Sequence, residues 1–220
     1  MCGRFTLTID PGDLQVAWGF GEVPADWVPR YNIAPTQPVA ALRDFSAPRL
    51  EFLRWGLVPY WAKDPSIGSR MINARAETLQ EKPAFRQALA SRRCLILADG
   101  FYEWQKVPGQ KSSRPHLFKL ADNQPFGFAG LWEAWKDPQG RTMESCTIIT
   151  CAANELVSPV HERMPVILTP DMARDWVGEP GGREPAAFLR PFPAEKMTAR
   201  PVGTMVNNPA VDSPLCVQPS

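Results

Sequence analysis

A chain of 220 residues, 44% hydrophobic and 21% charged, has the balance of an ordinary soluble globular protein and can bury a core as one domain, at most two. Its formal net charge of +1 excludes a general electrostatic pull towards nucleic acid or acidic membranes, so any polyanion site must be a local patch. The 24 prolines argue for short strands joined by rigid turns, and eight tryptophans exceed what such a core needs, so some are expected to line a surface groove.

In chain order, Phe5-Thr6-Leu7-Thr8-Ile9 alternates apolar and polar residues, which predicts a half-buried strand leading directly out of the terminus. Asp10-Pro11 reads as an N-cap and a proline at the first helical position, opening a short helix to about Trp18. Residues 19–38 are rich in Pro, Gly and Trp and are expected to form an ordered loop holding Arg30-Tyr31-Asn32-Ile33-Ala34-Pro35. Strands are predicted over Val39–Arg43 and Leu50–Val58, followed by an aromatic loop, Pro59-Tyr60-Trp61-Ala62-Lys63-Asp64-Pro65. A helix over Pro83–Ser91 places Phe85 and Leu89 on one face.

Cys94-Leu95-Ile96-Leu97-Ala98 is a continuous apolar run, the signature of a strand buried on both faces, and it leads into Asp99-Gly100-Phe101-Tyr102-Glu103-Trp104. Further strands are predicted at Pro115–Leu120, Phe126–Trp135, Thr142–Cys151 and Pro165–Leu168. Thr169-Pro170-Asp171 repeats the cap-plus-proline start for a helix to about Val177, broken by Gly178–Gly182. No repeat or low-complexity linker divides the chain. The reading is therefore α+β: one domain over residues 1–220, with a mostly antiparallel, barrel-like β core, a few short flanking helices and a less ordered tail from about residue 205.

The five cysteines, at positions 2, 94, 146, 151 and 216, lack zinc-ligand spacing, so neither metal nor cofactor is expected. Without a signal peptide or an apolar run near ~18 residues, the chain reads as cytoplasmic, its thiols reduced and no membrane among its partners.

Chemistry concentrates at the first residues, Met1-Cys2-Gly3-Arg4-Phe5. Removal of Met1 would leave Cys2 with a free α-amine beside its thiol. An α-amine titrates near ~7.7–8.0 against ~10.4 for lysine, so it attacks aldehydes at ambient pH without burial. The thiol can then close onto the imine as a five-membered thiazolidine. Such a trap needs a general acid to expel water. Glu103, after a buried strand and between Tyr102 and Trp104, is the best carboxylate, its apolar setting raising its pKa. The alternative is a solvated glutamate on a hairpin's outer face. His161, in a loop entering a strand, is either a proton-transfer group or a hydrogen-bonded structural histidine. Asn73, in an apolar triplet, either orients a ligand or braces a turn. Between positions 70 and 93, Arg70, Arg75, Lys82, Arg86, Arg92 and Arg93 stand against Glu77 and Glu81, a local excess of four cations. Arginines with aromatic platforms such as Tyr60, Trp61 and Trp104 suit sequence-tolerant binding of single strands.

Met1-Cys2-Gly3-Arg4-Phe5, Arg30-Tyr31-Asn32-Ile33-Ala34-Pro35, Trp55-Gly56-Leu57-Val58-Pro59, Ile72-Asn73-Ala74-Arg75-Ala76-Glu77-Thr78, Asp99-Gly100-Phe101-Tyr102-Glu103-Trp104 and Val160-His161-Glu162-Arg163-Met164-Pro165 together resemble the SOS response-associated peptidase (SRAP) family of abasic-site processing proteins. The resemblance runs from the terminus to about residue 168. It implies a DNA damage-processing enzyme in which Cys2, freed by loss of Met1, traps the ring-opened aldehyde of an abasic site in single-stranded DNA, single-strand/duplex junctions included. A thiazolidine crosslink would then shield the lesion from cleavage. Glu103 would be the acid/base of ring opening and crosslink reversal, and His161 a second proton-transfer group. Asn73 would hold the terminal amine or the sugar oxygens, and Arg4 and Arg75 the flanking phosphates. Trp61 would wedge against the bases, while Asn32, Pro35, Trp104 and Thr150 line the groove. The family's peptidase label would be explained by autocatalytic removal of residues ahead of the cysteine. A DNA-associated monomer is expected, with the replication machinery left open as a protein partner. Two rivals stay open on the residues alone: an N-terminal-nucleophile cysteine amidohydrolase, and a non-covalent single-stranded DNA binding module with a dispensable Cys2.

Overall fold

The computed structural model describes residues 2–109, 112–178 and 184–220. Strand β1 (Phe5–Leu7), helix α1 (Pro11–Trp18) and strands β2 (Arg30–Ile33), β3 (Pro38–Leu42), β4 (Glu51–Trp55) and β5 (Asn73–Arg75) make up the first third of the chain. Helix α2 (Pro83–Ser91) leads to β6 (Arg93–Ala98), β7 (Gly100–Gln105), β8 (Arg114–Leu120), β9 (Phe126–Lys136) and β10 (Thr142–Ala152). Strands β11 (Arg163–Pro165) and β12 (Ile167–Leu168), helix α3 (Pro170–Val177) and strand β13 (Met197–Pro201) complete the regular elements. The architecture is α+β.

Strand pairing closes on itself: β3 lies beside β4, β4 beside β10, β10 beside β9, β9 beside β6 and β6 again beside β3. All these contacts are antiparallel except β4–β10. A closed ring has no open edge. A second, antiparallel sheet in the order β13-β8-β7-β1-β2 lies against this barrel, and β5 and β11 extend the barrel wall along β10.

Phe5 ties the two sheets together. Its ring is fully buried and meets Trp55 and Phe128 edge-on, with centroids 5.2 and 5.4 Å away. Burying such a ring is worth about 1.5–3 kcal/mol, which anchors the start of the chain. The predicted strand over Phe5–Ile9 ends at Leu7 because Asp99, buried at the β6–β7 corner, takes its place as partner. Its Oδ1 accepts from the Thr6 hydroxyl at 2.6 Å and from the Thr8 amide at 3.2 Å.

Several expectations shift at the edges. The predicted loop over residues 30–33 is strand β2, because Asp212 Oδ1 accepts the outward-facing amides of Tyr31 and Asn32 at 2.6 and 3.0 Å. The predicted strand Leu50–Val58 stops at Trp55. Gly56 follows at φ 128°, and a Cβ there would lie 2.6 Å from the Gly68 carbonyl oxygen, so only glycine lets these two backbones meet. At α1 the cap forms as predicted, Gly12 N–H donating to Asp10 Oδ1 at 2.8 Å. At α3 Thr169 makes no side-chain cap; its hydroxyl donates to the Asp171 carboxylate instead. Most of the predicted break after α3 lies outside the described residues.

The segment beyond residue 204 is not a loose tail. It forms two short 3-10 turns, Thr204–Asn207 and Pro214–Val217, and its carbonyls accept from Arg4, Asn32 and Tyr102. Among the described residues, no helix is long and apolar enough to cross a membrane.

Candidate active site

Cys2 is fully buried ahead of β1, held where β1 runs between β2 and β7. The Tyr102 amide donates to the Arg4 carbonyl at 3.0 Å, extending the β1–β7 ladder towards the terminus. From the other sheet Asn73, first residue of β5, donates its Nδ2 to the Cys2 carbonyl at 2.8 Å. The Asn73 Oδ1 is buried and has no hydrogen-bond partner among the described residues, an open acceptor beside the terminal residue. Met1, whose loss would free the amine, lies outside the described residues.

Glu103 on β7 is 3% exposed. Burial pushes its carboxyl up to about 7, inside the range useful for proton transfer at neutral pH. Burial also pushes the Cys2 thiol well above its ordinary value, and the nearby Glu103 charge adds to the effect. The thiol is therefore protonated at rest. His161 belongs to the loop between β10 and β11, which Gln105 at the end of β7 grips by donating Nε2 to the Pro159 carbonyl at 3.3 Å. The Arg163 amide donates to His161 Nδ1 at 3.0 Å. The same Nδ1 lies 3.2 Å from the Arg163 carbonyl, so the turn clasps this ring nitrogen with both a donor and an acceptor, and the tautomer of the neutral imidazole decides which of the two it uses. Burial lowers the pKa of His161, favouring that neutral form.

Around this centre the other predicted residues divide. Arg75 is exposed at the end of β5, opposite Thr150 on β10, which is buried. Tyr60 and Trp61 are 58% and 50% exposed on a loop closed at its base by Leu57 N–H donating to the Met71 carbonyl, 3.1 Å. Trp135 Nε1 holds the middle of that loop through the Ala62 carbonyl at 2.7 Å. Pro35 is half-buried beside Thr36, whose φ of 72° is rare for a β-branched residue.

Arg4 turns to the chain itself. Its Nη1 donates to Asn32 Oδ1 at 2.8 Å and to the Val206 carbonyl at 2.6 Å, and its guanidinium lies 5.9 Å from the Trp104 ring centre. Asn32 is fully buried, its Nδ2 donating to the carbonyls of Val206, Asn208 and Val211 at 3.3, 3.0 and 2.7 Å. Trp104 Nε1 donates to Asn207 Oδ1 at 2.7 Å. Arg163 received no role from the sequence, although it lies two residues from His161 in the same motif. It donates to both carboxylate oxygens of Glu77, at 2.7 and 2.9 Å, and to the Thr150 carbonyl at 2.6 Å. Among the described residues, no group of three or more His, Cys, Asp or Glu side chains could hold a metal ion.

Fold and site together define a protein in which a buried cysteine at the second position lies where two sheets meet, near a buried carboxylate. A family model described as SOS response associated peptidase (SRAP) matches residues 1–209, and the chain belongs to that family. It is 44% identical over 224 residues to the abasic site processing protein YoqW of Bacillus subtilis, covering 99% of both chains. It is 30% identical over 262 residues to the abasic site processing protein HMCES of Xenopus tropicalis, covering 99% of this chain and 78% of that one. A solved structure from Bacteroides thetaiotaomicron superposes with a TM-score of 0.89 at 25% identity and full coverage of both chains. A phage-related protein from Bordetella bronchiseptica gives 0.70 at 30% identity, over 91% of this chain and 94% of that one.

Proposed function

We propose that this protein captures abasic sites in single-stranded DNA by a covalent thiazolidine link to Cys2 once Met1 is removed. The observation that supports this most is the pairing of a held Cys2 with a buried Glu103 that is half-titrated near neutral pH. The relatives named for abasic-site processing support the substrate.

The chemistry balances as follows. The Cys2 amine adds to the C1′ aldehyde of the ring-opened sugar, giving a carbinolamine. Protonated Glu103 gives its proton to the carbinolamine hydroxyl, which leaves as water, and an iminium remains beside a carboxylate. That carboxylate takes the thiol proton, the sulfur attacks the iminium carbon, and the ring closes with Glu103 restored. One aldehyde and one aminothiol become one thiazolidine and one water. Because burial keeps the thiol protonated, the amine attacks first and the sulfur second. This order favours the trap over a thiolate-led amidohydrolase.

His161 serves the sugar oxygen in ring opening and in reversal. Asn73 fixes the Cys2 carbonyl and offers Oδ1 to the terminal amine or to a sugar hydroxyl. Exposed Arg75 supplies a phosphate contact, and Trp61 wedges against neighbouring bases at a single-strand/duplex junction. We assign Arg4 and Asn32 to bracing the groove in which Pro35, Trp104 and Thr150 lie.

The test is Cys2→Ala. The variant should still retard single-stranded DNA in a gel and form no heat- and SDS-stable adduct with an abasic oligonucleotide. A stable adduct in that variant, or an adduct mapped by mass spectrometry to any residue other than Cys2, would overturn the reading.

A further inference from the structure

Glu77 lies in the 3-10 turn Ala76–Thr78 directly after β5, and Arg163 opens β11. Both strands pair with the same end of β10, where Thr150 faces Arg75 on one side and Pro165 on the other. The two-pronged ion pair between Glu77 and Arg163 therefore spans β10 and ties the strand of Asn73 to the turn of His161. Arg163 is nearly buried, with its side chain 13% exposed, and its Nη2 also donates to the Thr150 carbonyl at 2.6 Å. Its backbone amide and carbonyl both lie against His161 Nδ1, at 3.0 and 3.2 Å.

We infer that Glu77 is a positioning residue: through Arg163 it holds the turn whose backbone clasps His161 Nδ1, and with it the place of the imidazole opposite the Asn73 strand. The use made of that imidazole rests on the function proposed above; the mechanical link does not. A planar guanidinium gripped at both prongs has one orientation, and here it leaves little freedom in Glu162, the one residue between Arg163 and His161. The charged neighbours that bear on His161 are the amino terminus, Glu162 on its own turn and Lys106 just past β7. None of these substitutes for the brace. The opposite use of Glu77, as a carboxylate that occupies Arg163 until a DNA phosphate displaces it, fits a half-exposed arginine better than one this deeply seated.

The chain has two histidines, so 15N-labelled imidazole spectra can be assigned with His116→Gln. DNA-free protein should show His161 in a single neutral tautomer. Glu77→Ala should mix the tautomers, and Glu77→Gln, which keeps one acceptor, should lie between; Glu81→Gln, on an exposed neighbour, should change nothing. The rate of adduct formation in Glu77→Ala should fall roughly ten- to a hundredfold with single-strand affinity unchanged. An unaltered tautomer in the Ala variant overturns the inference, as does tighter, more salt-sensitive DNA binding, which would mark Glu77 as a phosphate competitor. Should Glu77→Ala fail to melt cooperatively, Glu77→Gln decides by the same spectrum. A wild-type protein that forms no adduct would sink the proposed function and leave the tautomer measurement intact.

Discussion

Asn73 Nδ2 donates to the carbonyl oxygen of Cys2 at 2.8 Å, and that bond joins the two sheets beside the first described residue. It acts on the main chain of Cys2. The held carbonyl branches from Cα, so the bond occupies neither the amine nor the thiol on which the proposed chemistry rests.

Asn73→Ala is accordingly expected to lower the rate of adduct formation and to spare binding. Losing one buried hydrogen bond costs about 1–3 kcal/mol, which at the transition state is roughly a 5- to 150-fold slowing. Single-turnover kinetics with an abasic oligonucleotide, set beside gel-shift affinity, separate the two effects.

Glu103 predicts a pH dependence of stability. Its carboxyl rises on folding from an ordinary 4.5 to about 7, so between those values the folded state binds more protons than the unfolded one. The stability from the neutral form is complete below about 4.5 and is lost as pH climbs through 7. The gap corresponds to roughly 3 kcal/mol at most. His161 works with the opposite sign: its pKa falls on folding, so it costs stability as pH drops below its ordinary 6.5. Glu103→Gln should flatten the fall in Tm between pH 4.5 and 7, measured by thermal melts across that window. It should also abolish the fall in the adduct-forming rate as pH rises through about 7.

Phe5→Ala should destabilise the fold by about 3–5 kcal/mol, since it empties a site walled by Trp55 and Phe128. Chemical denaturation measures this directly.

Asn32→Ala removes the donor shared by three carbonyls of the C-terminal segment and the acceptor of Arg4. The cost should be about 1–3 kcal/mol. Hydrogen exchange should rise over residues 204–217, with the barrel amides unchanged.

Arg75→Ala should weaken binding to single strands evenly across sequences. The slope of log affinity against log salt should fall by about 1. Fluorescence anisotropy over a salt series checks both.

Elements governed by neighbours in sequence were legible. The alternation of Phe5 and Leu7, the Asp10-Pro11 cap and the apolar run from Cys94 to Ala98 mark their own structures. Strand β2 was not, because its outer edge is completed by Asp212, far along the chain. Nor was the end of β4, where Gly56 meets Gly68. Glu103 is instructive: its raised pKa was foreseen from its aromatic neighbours, yet adjacent strand residues face opposite sides. Tyr102 packs in a separate cluster with Val202, Val206 and Cys216, so the burial of Glu103 has another source. Arg163 escaped notice because its importance lies in the partner it grips.

The bond from Arg4 to the Val206 carbonyl links positions 202 apart in sequence. During synthesis the ribosome releases the first residues long before that carbonyl exists. Until Val206 has been made that clamp on Arg4 is missing, and only strand pairing, the Phe5 contacts and the Asn73 bond can hold the opening segment. Full fastening of the segment that carries Cys2 thus comes later than its place in the sheet.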